Sequence, residues 1–428
     1  MTFQHIHNEL YAEDIPLRQI ADNHKTPCYV YSAGLIRKNY AALEEALQKH
    51  LPDTRFLIAY ACKANATLGV LSTLSGMGAG ADIVSGGEMT RALKAGVPAS
   101  RIVFSGVGKT IEEIEAAIAN QIAQINVESE AEMELISEIA AERKQPINVS
   151  FRLNPDVDAK THSHTNTGKK DSKFGISADI IRKLYKKAMD DPWLDAKGLS
   201  VHIGSQLTTL EPFETAFRLF ADFVKSLRQE GCTIKTLDIG GGIGITYDNE
   251  TLFDLNDYVR LIQEHIAPLE TDIILEPGRF LTGDTGLLLS RVLYSKKAGD
   301  KTFLIVDAGM TDFMRPSLYD AVHPVVPVKK ESDETKPGEK IYDIAGPVCE
   351  TADVLARNVS LSPKLETPGS LIVFMMAGAY GSVMASMYNA RALPSEILVD
   401  GQNIQEIRKR FDVHDLMNLE TVPDWLEK

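Results

Sequence analysis

The sequence is poor in cysteine and has no long apolar run, and each absence excludes a class of protein. Four cysteines occur in 428 residues, and no two form a Cys-x-x-Cys pair that would indicate zinc or a redox couple. We expect Cys28, Cys62 and Cys232 to be buried, reduced thiols. No apolar stretch approaches the length that a membrane-spanning helix needs, so we expect neither a metal centre nor a membrane partner.

An excess of basic residues and an export signal are lacking as well. Asp and Glu number 59 against 45 for Lys and Arg, which gives a formal net charge of −14. Because proteins bind nucleic acid largely through cationic side chains that contact phosphates, this charge argues against a nucleic-acid partner. The first residues, Met-Thr-Phe-Gln-His-Ile-His-Asn-Glu, contain no basic region followed by an apolar one, so we expect no secretory signal and a cytoplasmic protein.

The sequence does contain about eight short apolar runs that recur at helix-plus-strand spacing. This pattern predicts an α/β protein with a (β/α)8 barrel that carries its site on one rim. The runs are Phe56–Ala61, Ala81–Val84, Ile102–Phe104, Ile122–Val127, Ile147–Leu153, Leu199–Ile203, Thr236–Ile239 and Ile273–Leu275. They end in Lys63, Asp82, Ser105, Glu128, Arg152, His202, Gly240–Gly242 and Glu276–Arg279 respectively.

The segments between the runs supply the crossover helices that parallel strands require. Thr110 and Ser129 are expected N-caps, because each is followed three residues later by a glutamate that can return the hydrogen bond. Five apolar residues recur at helical spacing in 213–227 and should pack against the barrel: Phe213, Phe217, Phe220, Phe223 and Val224.

A second domain must follow the barrel, since the barrel needs only about two thirds of the chain. After Arg279 the sequence pattern changes to runs of residues typical of β-strands, such as Thr302–Val306 and Leu371–Met376, with a polar stretch at Glu331–Lys340. We expect the barrel in residues 33–280. Residues 1–32 and 281–428 should form an antiparallel β-sandwich or β-barrel domain that contributes substrate-binding and dimer-interface residues.

Two glycine-bearing motifs follow the last two runs, where a barrel commonly binds phosphate. Asp238-Ile-Gly-Gly-Gly242 lets backbone N–H groups approach an anion closely, and Glu276-Pro-Gly-Arg279 adds a guanidinium that is always charged. Each motif alone is also compatible with a tight turn. Together, on neighbouring strands, they favour a phosphate site.

Lys63 ends the first run, where its charge would lie in the barrel mouth rather than on an outer face. A desolvated lysine has a lowered pKa and can bond covalently to an aldehyde. The alternative is a lysine that is paired with a nearby acid such as Asp82. His202 faces the same rim and is either a ring that stacks on an aromatic cofactor or a core histidine.

A phosphate cradle, an amine and an acid on one rim suggest pyridoxal phosphate, with Glu276 holding the pyridine nitrogen protonated. The chain resembles the pyridoxal-phosphate decarboxylases with an alanine-racemase-like barrel, known as fold type III. The resemblance covers nearly the whole chain, in order: Tyr60-Ala-Cys-Lys-Ala-Asn65, Gly80-Ala-Asp-Ile-Val-Ser-Gly-Gly-Glu88, Ser172-Lys-Phe-Gly175, His202-Ile-Gly-Ser-Gln206, the Gly-Gly-Gly loop and Glu-Pro-Gly-Arg.

The resemblance implies a role for each residue on the barrel rim. Lys63 would carry the cofactor beside Asp82, His202 would stack on its ring, and Glu276 would hold its nitrogen. Ser205, Gly242, Gly278 and Arg279 would surround its phosphate, and Gly240, Gly241 and Pro277 would also bind the cofactor.

Three segments of the second domain also resemble the family. Arg315 and Tyr319, in Asp307-Ala-Gly-Met-Thr-Asp-Phe-Met-Arg-Pro-Ser-Leu-Tyr319, would hold a substrate carboxylate remote from the reaction. Cys349 and Glu350 lie in a motif that, in this family, enters the partner subunit's site of a homodimer. There Cys349 would return a proton and Glu350 would receive the substrate's amino group. Tyr380, in Gly378-Ala-Tyr-Gly, would reach both cofactor and substrate.

The two guanidinium groups of Arg279 and Arg315 suit an amino acid with an extra carboxylate, which ornithine or lysine would leave unpaired. Arg315 could instead form an interface ion pair. The resemblance implies that meso-2,6-diaminopimelate loses CO2 at its D-configured end to give L-lysine, in the last step of lysine biosynthesis. The alternatives are a decarboxylase of carboxynorspermidine, ornithine or arginine, an amino-acid racemase, and a non-catalytic pyridoxal-phosphate carrier.

Small departures from the family's pattern concern residues beside the functional groups. Cys62 stands where valine is more usual, and Met376-Ala377 stand where an acid often occurs. The stretch His162–Gly168 matches the family's substrate loop only loosely.

Overall fold

The computed structural model describes residues 3–155, 173–330 and 338–426. The expected substrate loop at His162–Gly168, Ser172 and most of the polar stretch at Glu331–Lys340 lie outside the described residues. The chain forms two compact units. One is Arg37–Leu281, and the other combines Met1–Ile36 with Thr282–Lys428.

The N-terminal elements begin with a small antiparallel sheet and include a strand, β4, that belongs to the C-terminal sheet. They are β1 (Phe3–Ile6), β2 (Glu9–Ala12), β3 (Ile15–Pro16), α1 (Leu17–His24), β4 (Cys28–Ser32) and α2 (Ala33–His50). Every side chain of β4 is buried. A strand buried on both faces is typical of the centre of a sheet, which is where β4 lies.

Eight parallel strands in the described ranges close into a barrel, as the sequence predicts. They are β5 (Phe56–Ala61), β6 (Gly80–Ile83), β7 (Ile102–Phe104), β8 (Gln124–Val127), β9 (Ile147–Leu153), β10 (Leu194–Val201), β11 (Thr236–Asp238) and β12 (Asp272–Leu275). β10 is longer than the predicted run because it pairs with the whole of β9 from Leu194 onward. It ends at Val201, two residues before the end of the predicted run. His202 therefore lies just beyond the strand end.

The helices of this unit follow the strands in sequence. They are α3 (Leu68–Gly76), α4 (Gly86–Lys94), α5 (Ile111–Asn120), α6 (Glu130–Arg143), α7 (Ala178–Met189), α8 (Glu211–Gln229), α9 (Leu255–His265) and α10 (Arg279–Thr282). Within the described ranges, each helix is too short or too polar to cross a bilayer.

Two helix starts have the predicted caps, with one difference in detail. Thr110 forms a complete capping box with Glu113 at the start of α5. At α6 the Ser129 hydroxyl accepts from the Glu132 N–H. The Glu132 carboxylate, however, accepts from the Glu128 N–H at 2.6 Å rather than from the N–H of the N-cap residue. The second carboxylate oxygen of Glu132 is taken by the buried ammonium of Lys109 at 2.9 Å.

The aromatic stripe of α8 is buried, as predicted. The Phe213 ring lies edge-on to the Tyr258 ring of α9, with 4.9 Å between centroids, and Phe217 lies 6.1 Å from the same ring. The rings thus fix α8 against α9, and each buried ring contributes about 1.5–3 kcal/mol by leaving water.

The C-terminal unit is built on a mixed sheet. Its remaining elements are β13 (Gly286–Ala298), β14 (Lys301–Val306), α11 (Arg315–Tyr319), β15 (Val325–Pro327), β16 (Lys340–Ala345), β17 (Val354–Leu361), β18 (Leu371–Phe374), β19 (Ser395–Asp400), β20 (Asn403–Arg408) and α12 (Val413–Met417). The strand order is β17-β16-β14-β13-β4-β19-β20, and β18 pairs with both β13 and β15.

The prediction of an antiparallel sheet was therefore too simple. Most pairs are antiparallel, but β14 runs parallel to β16 and β4 runs parallel to β19. The second pair arises because the N-terminal segment is inserted between β13 and β19. That insertion confirms that the N-terminal segment belongs to the β-domain.

Candidate active site

The side chain of Lys63 lies on a short 3-10 turn, Cys62–Ala64, directly after β5. Its Nζ donates to Asp82 Oδ2 at 3.3 Å, and the Asp82 side chain is fully buried while that of Lys63 is 39% exposed. The ion pair considered from the sequence is therefore present. It also restrains an accessible amine at the carboxyl end of the barrel strands, which is where this fold holds catalytic groups.

His202 follows β10, and a backbone N–H group hydrogen-bonds to its ring. The Gly241 N–H donates to His202 Nδ1 at 3.2 Å, so a neutral ring carries its proton on Nε2. Burial, together with the positive charges of Lys63 and Arg152, lowers the pKa of His202 well below its ordinary value. His202 thus presents a neutral, flat imidazole at neutral pH.

The glycines after β11 allow the backbone of three loops to come into close contact. A Cβ added at Gly240 would lie 2.6 Å from the Val201 carbonyl oxygen, and one added at Gly241 would lie 2.1 Å from the Glu276 carbonyl oxygen. At Gly242, where φ is +105°, it would lie 2.7 Å from the Gly204 carbonyl oxygen. Side chains are excluded here, so main-chain groups line this part of the rim.

Arg279 begins α10 and is 7% exposed. Its Nη2 donates to the Ser205 hydroxyl at 3.3 Å, and its Nη1 donates to the Tyr247 hydroxyl at 2.6 Å. At Gly278, beside it, an added Cβ would meet Ala61 Cβ at 3.1 Å. A guanidinium, a hydroxyl and a glycine cradle are thus brought together, and this donor set suits a phosphate group.

Glu276, after β12, is 8% exposed and belongs to the polar interior of the barrel. Its Oε1 accepts from the Ser105 hydroxyl at 3.0 Å. Burial and the neighbouring Asp238 and Asp82 carboxylates raise the pKa of Glu276 well above its usual value. An acid is thus positioned for a ring nitrogen, so the barrel residues fit pyridoxal phosphate.

In the second unit, Arg315 and Tyr319 lie together on α11. Arg315 is 7% exposed, and its guanidinium carbon lies 5.8 Å from the centroid of the Tyr319 ring. Its Nε donates to His323 Nε2 at 3.3 Å. His323 Nδ1 lies 2.9 Å from the Met375 carbonyl oxygen, which can only accept, so Nδ1 carries the proton and Nε2 accepts from Arg315.

Cys349 and Glu350 are exposed on the connection between β16 and β17. Asp353 holds this loop, since its carboxylate accepts from the backbone N–H groups of Val348 at 2.7 Å and Met310 at 2.5 Å. The Cys349 N–H donates to Asn389 Oδ1 at 3.2 Å. The loop is therefore fixed at its base, and it projects a thiol and a carboxylate into solvent.

Tyr380 has a backbone conformation that is unusual for its residue type. Its φ is +56°, in the left-handed region that costs a non-glycine residue free energy. The preceding Gly378 is packed so closely that an added Cβ would lie 1.9 Å from the Thr282 carbonyl oxygen. Strain of this kind is concentrated at functional sites, which is consistent with the predicted role of Tyr380.

Comparison with known proteins gives one consistent result. Residues 34–283 match the family model described as the pyridoxal-binding domain of pyridoxal-dependent decarboxylases. The chain is 42% identical over 421 residues to diaminopimelate decarboxylase of Haemophilus influenzae, covering 98% of this chain and 99% of that protein. This chain belongs to the diaminopimelate decarboxylase family of pyridoxal-dependent decarboxylases.

Solved structures of diaminopimelate decarboxylases agree in fold. The Helicobacter pylori enzyme complexed with L-lysine has a TM-score of 0.89 and 41% identity, covering 94% of this chain and 98% of that one. The enzyme from M. jannaschii has a TM-score of 0.94 and 36% identity, covering 100% of this chain and 99% of that one.

Two residues of the candidate site of this pyridoxal-dependent decarboxylase were not found from its sequence. Tyr247 contacts Arg279 from a loop with no distinctive motif. Asn126 lies inside the barrel and donates to Asp238 Oδ2 at 2.9 Å. The sequence feature that could have indicated Asn126 is the alternation of Gln124 and Asn126 with apolar residues in this strand, which places two amides on the inner face.

Proposed function

We propose that this chain decarboxylates meso-2,6-diaminopimelate to L-lysine and CO2 with pyridoxal 5'-phosphate as its cofactor. The observation that carries the proposal is a lysine at the end of a barrel strand, beside a glycine cradle and an arginine, in a chain similar over its full length to diaminopimelate decarboxylases. The two compact units would then be the cofactor-binding barrel and the β-domain expected from the sequence. The proposed compartment is the cytoplasm.

The cofactor, when bound, would supply an aldehyde for the amine and a ring that accepts the electron pair left on the substrate carbon when CO2 departs. Lys63 would bond to the aldehyde, with Asp82 holding the amine in place between turnovers. Ser205, Arg279 and the backbone N–H groups of Gly242 and Gly278 would hold the phosphate, and Gly240, Gly241 and Pro277 would line the cofactor site. His202 would cover one ring face, and Glu276 would hold a proton at the ring nitrogen.

Substrate recognition would rest on guanidinium and phenol groups. Arg279 and Arg315 can each bind a carboxylate in a two-pronged fork, which suits an amino acid with an additional carboxylate at its far end. The Tyr319 ring lies beside the Arg315 guanidinium and would help to orient that fork. Glu350 would accept the remote amino group, and Tyr380 would contact both substrate and cofactor.

Cys349 would return a proton to the carbon that has lost CO2. In the family that the sequence resembles, this loop acts in the neighbouring subunit's barrel. We therefore propose a two-fold homodimer with two shared active sites. Exposure of Cys349 and Glu350 on a firmly held loop supports this assignment.

The proposed substrate is tested by measuring CO2 release from purified, cofactor-loaded protein with meso-diaminopimelate, ornithine, arginine and carboxynorspermidine. We expect meso-diaminopimelate to give the highest kcat/KM. A higher kcat/KM with any of the other three would replace this proposal by the corresponding decarboxylase.

A further inference from the structure

A buried chain of hydrogen bonds crosses the barrel interior beneath the proposed cofactor site. Gln124 Nε2 donates to Asn126 Oδ1 at 2.8 Å, which fixes the orientation of the Asn126 amide. Asn126 Nδ2 then donates to both Asp238 Oδ2 at 2.9 Å and Ser105 Oγ at 3.0 Å. All four of these residues are at most 6% exposed.

The direction of these bonds determines which carboxyl oxygens accept. Ser105 Oγ accepts a hydrogen bond from the Asn126 amide, and its own O–H donates a hydrogen bond to Glu276 Oε1 at 3.0 Å. Asp238 accepts at both oxygens, because Oδ1 also receives the Gly240 N–H at 3.0 Å. An aspartate that accepts at both oxygens is in the state expected of an ionised carboxylate.

Asn126 and Ser105 link the carboxyl groups of Asp238 and Glu276 through hydrogen bonds, and the negative charge of Asp238 contributes to raising the pKa of Glu276. Asp238 ends β11, and Glu276 follows β12, the neighbouring strand in the barrel. Two adjacent ionised carboxylates in a site closed to water would repel strongly. The other charged groups that act on Glu276 are Asp82 in β6 and Lys63 after β5.

We propose that Asp238 is a positioning residue for the reaction, which shares a single proton with Glu276 and keeps that proton on Glu276. This inference rests on the proposed function, since it assigns Glu276 to the cofactor's ring nitrogen. Glu276 then gives the proton to the nitrogen: an O–H bond at Glu276 breaks, an N–H bond forms, and no electrons are transferred to or from the protein. Asp238 keeps its negative charge throughout.

The shared proton is detectable without substrate or cofactor. The carbonyl stretch of a protonated carboxylic acid in the infrared spectrum of the apoprotein, followed against pH, gives the midpoint at which that acid ionises. Among the described residues, Glu88 and Asp312 are expected to contribute bands near neutral pH, since burial raises the pKa of Glu88 to about 7 and that of Asp312 to about 6. Glu88→Gln and Asp312→Asn are the control variants that identify their bands.

Two variants distinguish the possible positions of the proton. We expect Glu276→Gln to abolish the band with the highest midpoint. Asp238→Asn should move the midpoint down by a pH unit or more, which is about a tenfold change in proton affinity. An unchanged midpoint in Asp238→Asn would overturn the proposal. So would the reverse pattern, in which Asp238→Asn abolishes the band and Glu276→Gln only shifts it. If Asp238→Asn does not fold, persistence of the band in Glu276→Gln overturns it.

Cofactor binding gives a second measurement that is also independent of turnover. Pyridoxal phosphate is titrated into apoprotein by calorimetry, in buffers of different ionisation enthalpy, at a pH between the two infrared midpoints. Wild-type Glu276 brings its own proton, whereas Asp238→Asn must take about one more proton from solvent. Equal proton uptake would contradict the proposal. Neither measurement uses diaminopimelate, so failure of the substrate assignment would leave both results intact.

Discussion

Lys63 is the residue on which the chemical assignment depends most. We expect Lys63→Ala to lose the visible absorbance of the lysine-bound cofactor and nearly all turnover, because no other group would replace the amine at the end of β5. The measurement is the absorbance spectrum together with borohydride trapping and peptide mapping.

A matched control for Lys63→Ala is Lys225→Ala, since Lys225 is an exposed lysine on α8. This variant should keep the spectrum and the turnover of the wild type. If Lys63→Ala still gives a trapped pyridoxyl peptide, another lysine anchors the cofactor and the site assignment is wrong.

Arg315 tests the choice of substrate at the scale of a single side chain. Arg315→Met keeps much of the apolar stem but leaves a substrate carboxylate without its charged partner, so diaminopimelate binding should weaken by about 2–4 kcal/mol. The change should appear in KM. Arg260→Met, on the exposed face of α9, is the control. An unchanged KM in Arg315→Met would show that Arg315 is structural.

The positions of several candidate site residues could be predicted individually, because each follows an apolar run that ends at the rim. Lys63, His202 and Arg279 are of this kind. Tyr247 and Asn126 could not be predicted in the same way. Their roles depend on which side chains face each other across neighbouring strands and loops, and that is fixed by the closed barrel rather than by local sequence.

At the scale of elements, Gly241 tests the packing between the loops after β11 and β12. A methyl group at Gly241 would lie 2.1 Å from the Glu276 carbonyl oxygen, so backbone must move. We expect Gly241→Ala to cost about 1–3 kcal/mol of unfolding free energy and to weaken binding of pyridoxal phosphate. Thermal unfolding and cofactor titration measure the two effects.

The control for Gly241→Ala is Gly76→Ala, at the end of α3. An added Cβ there meets nothing within 4 Å, and alanine is a better helix former than glycine. Gly76→Ala should therefore keep or slightly raise stability. Equal behaviour of the two variants would mean that the loop packing does not matter for the cofactor.

The barrel strands were predictable as elements because each is a short apolar run followed by a helix. The β-domain was less predictable in detail. The parallel pairing of β4 with β19 joins residues more than 360 positions apart, for example Cys28 with Ser395. The partner of a strand at that distance cannot be predicted from local sequence, since the residues of either strand indicate only that it is apolar and buried.

For the whole molecule, the proposed shared sites require residues from two subunits. Mixing inactive Lys63→Ala protein with inactive Cys349→Ala protein should restore activity, because one site of the mixed dimer contains both wild-type residues. Homodimers of either variant have no such site. Activity measured before and after mixing tests this expectation.

Subunit exchange in that mixture must be demonstrated, for example by native mass spectrometry of differently tagged variants. If mixed dimers form and no activity returns, Cys349 serves its own barrel or is not needed. The shared-site assembly would then be wrong, while the cofactor assignment would stand.

The most direct test of the central claim is the product balance with meso-diaminopimelate. Cofactor-loaded wild-type protein should release CO2 and L-lysine in equal amounts, with no D-lysine, and Lys63→Ala should release neither. The amounts are measured by gas analysis and chiral chromatography on one reaction. Loss of diaminopimelate without CO2, or CO2 release without L-lysine, would contradict the account.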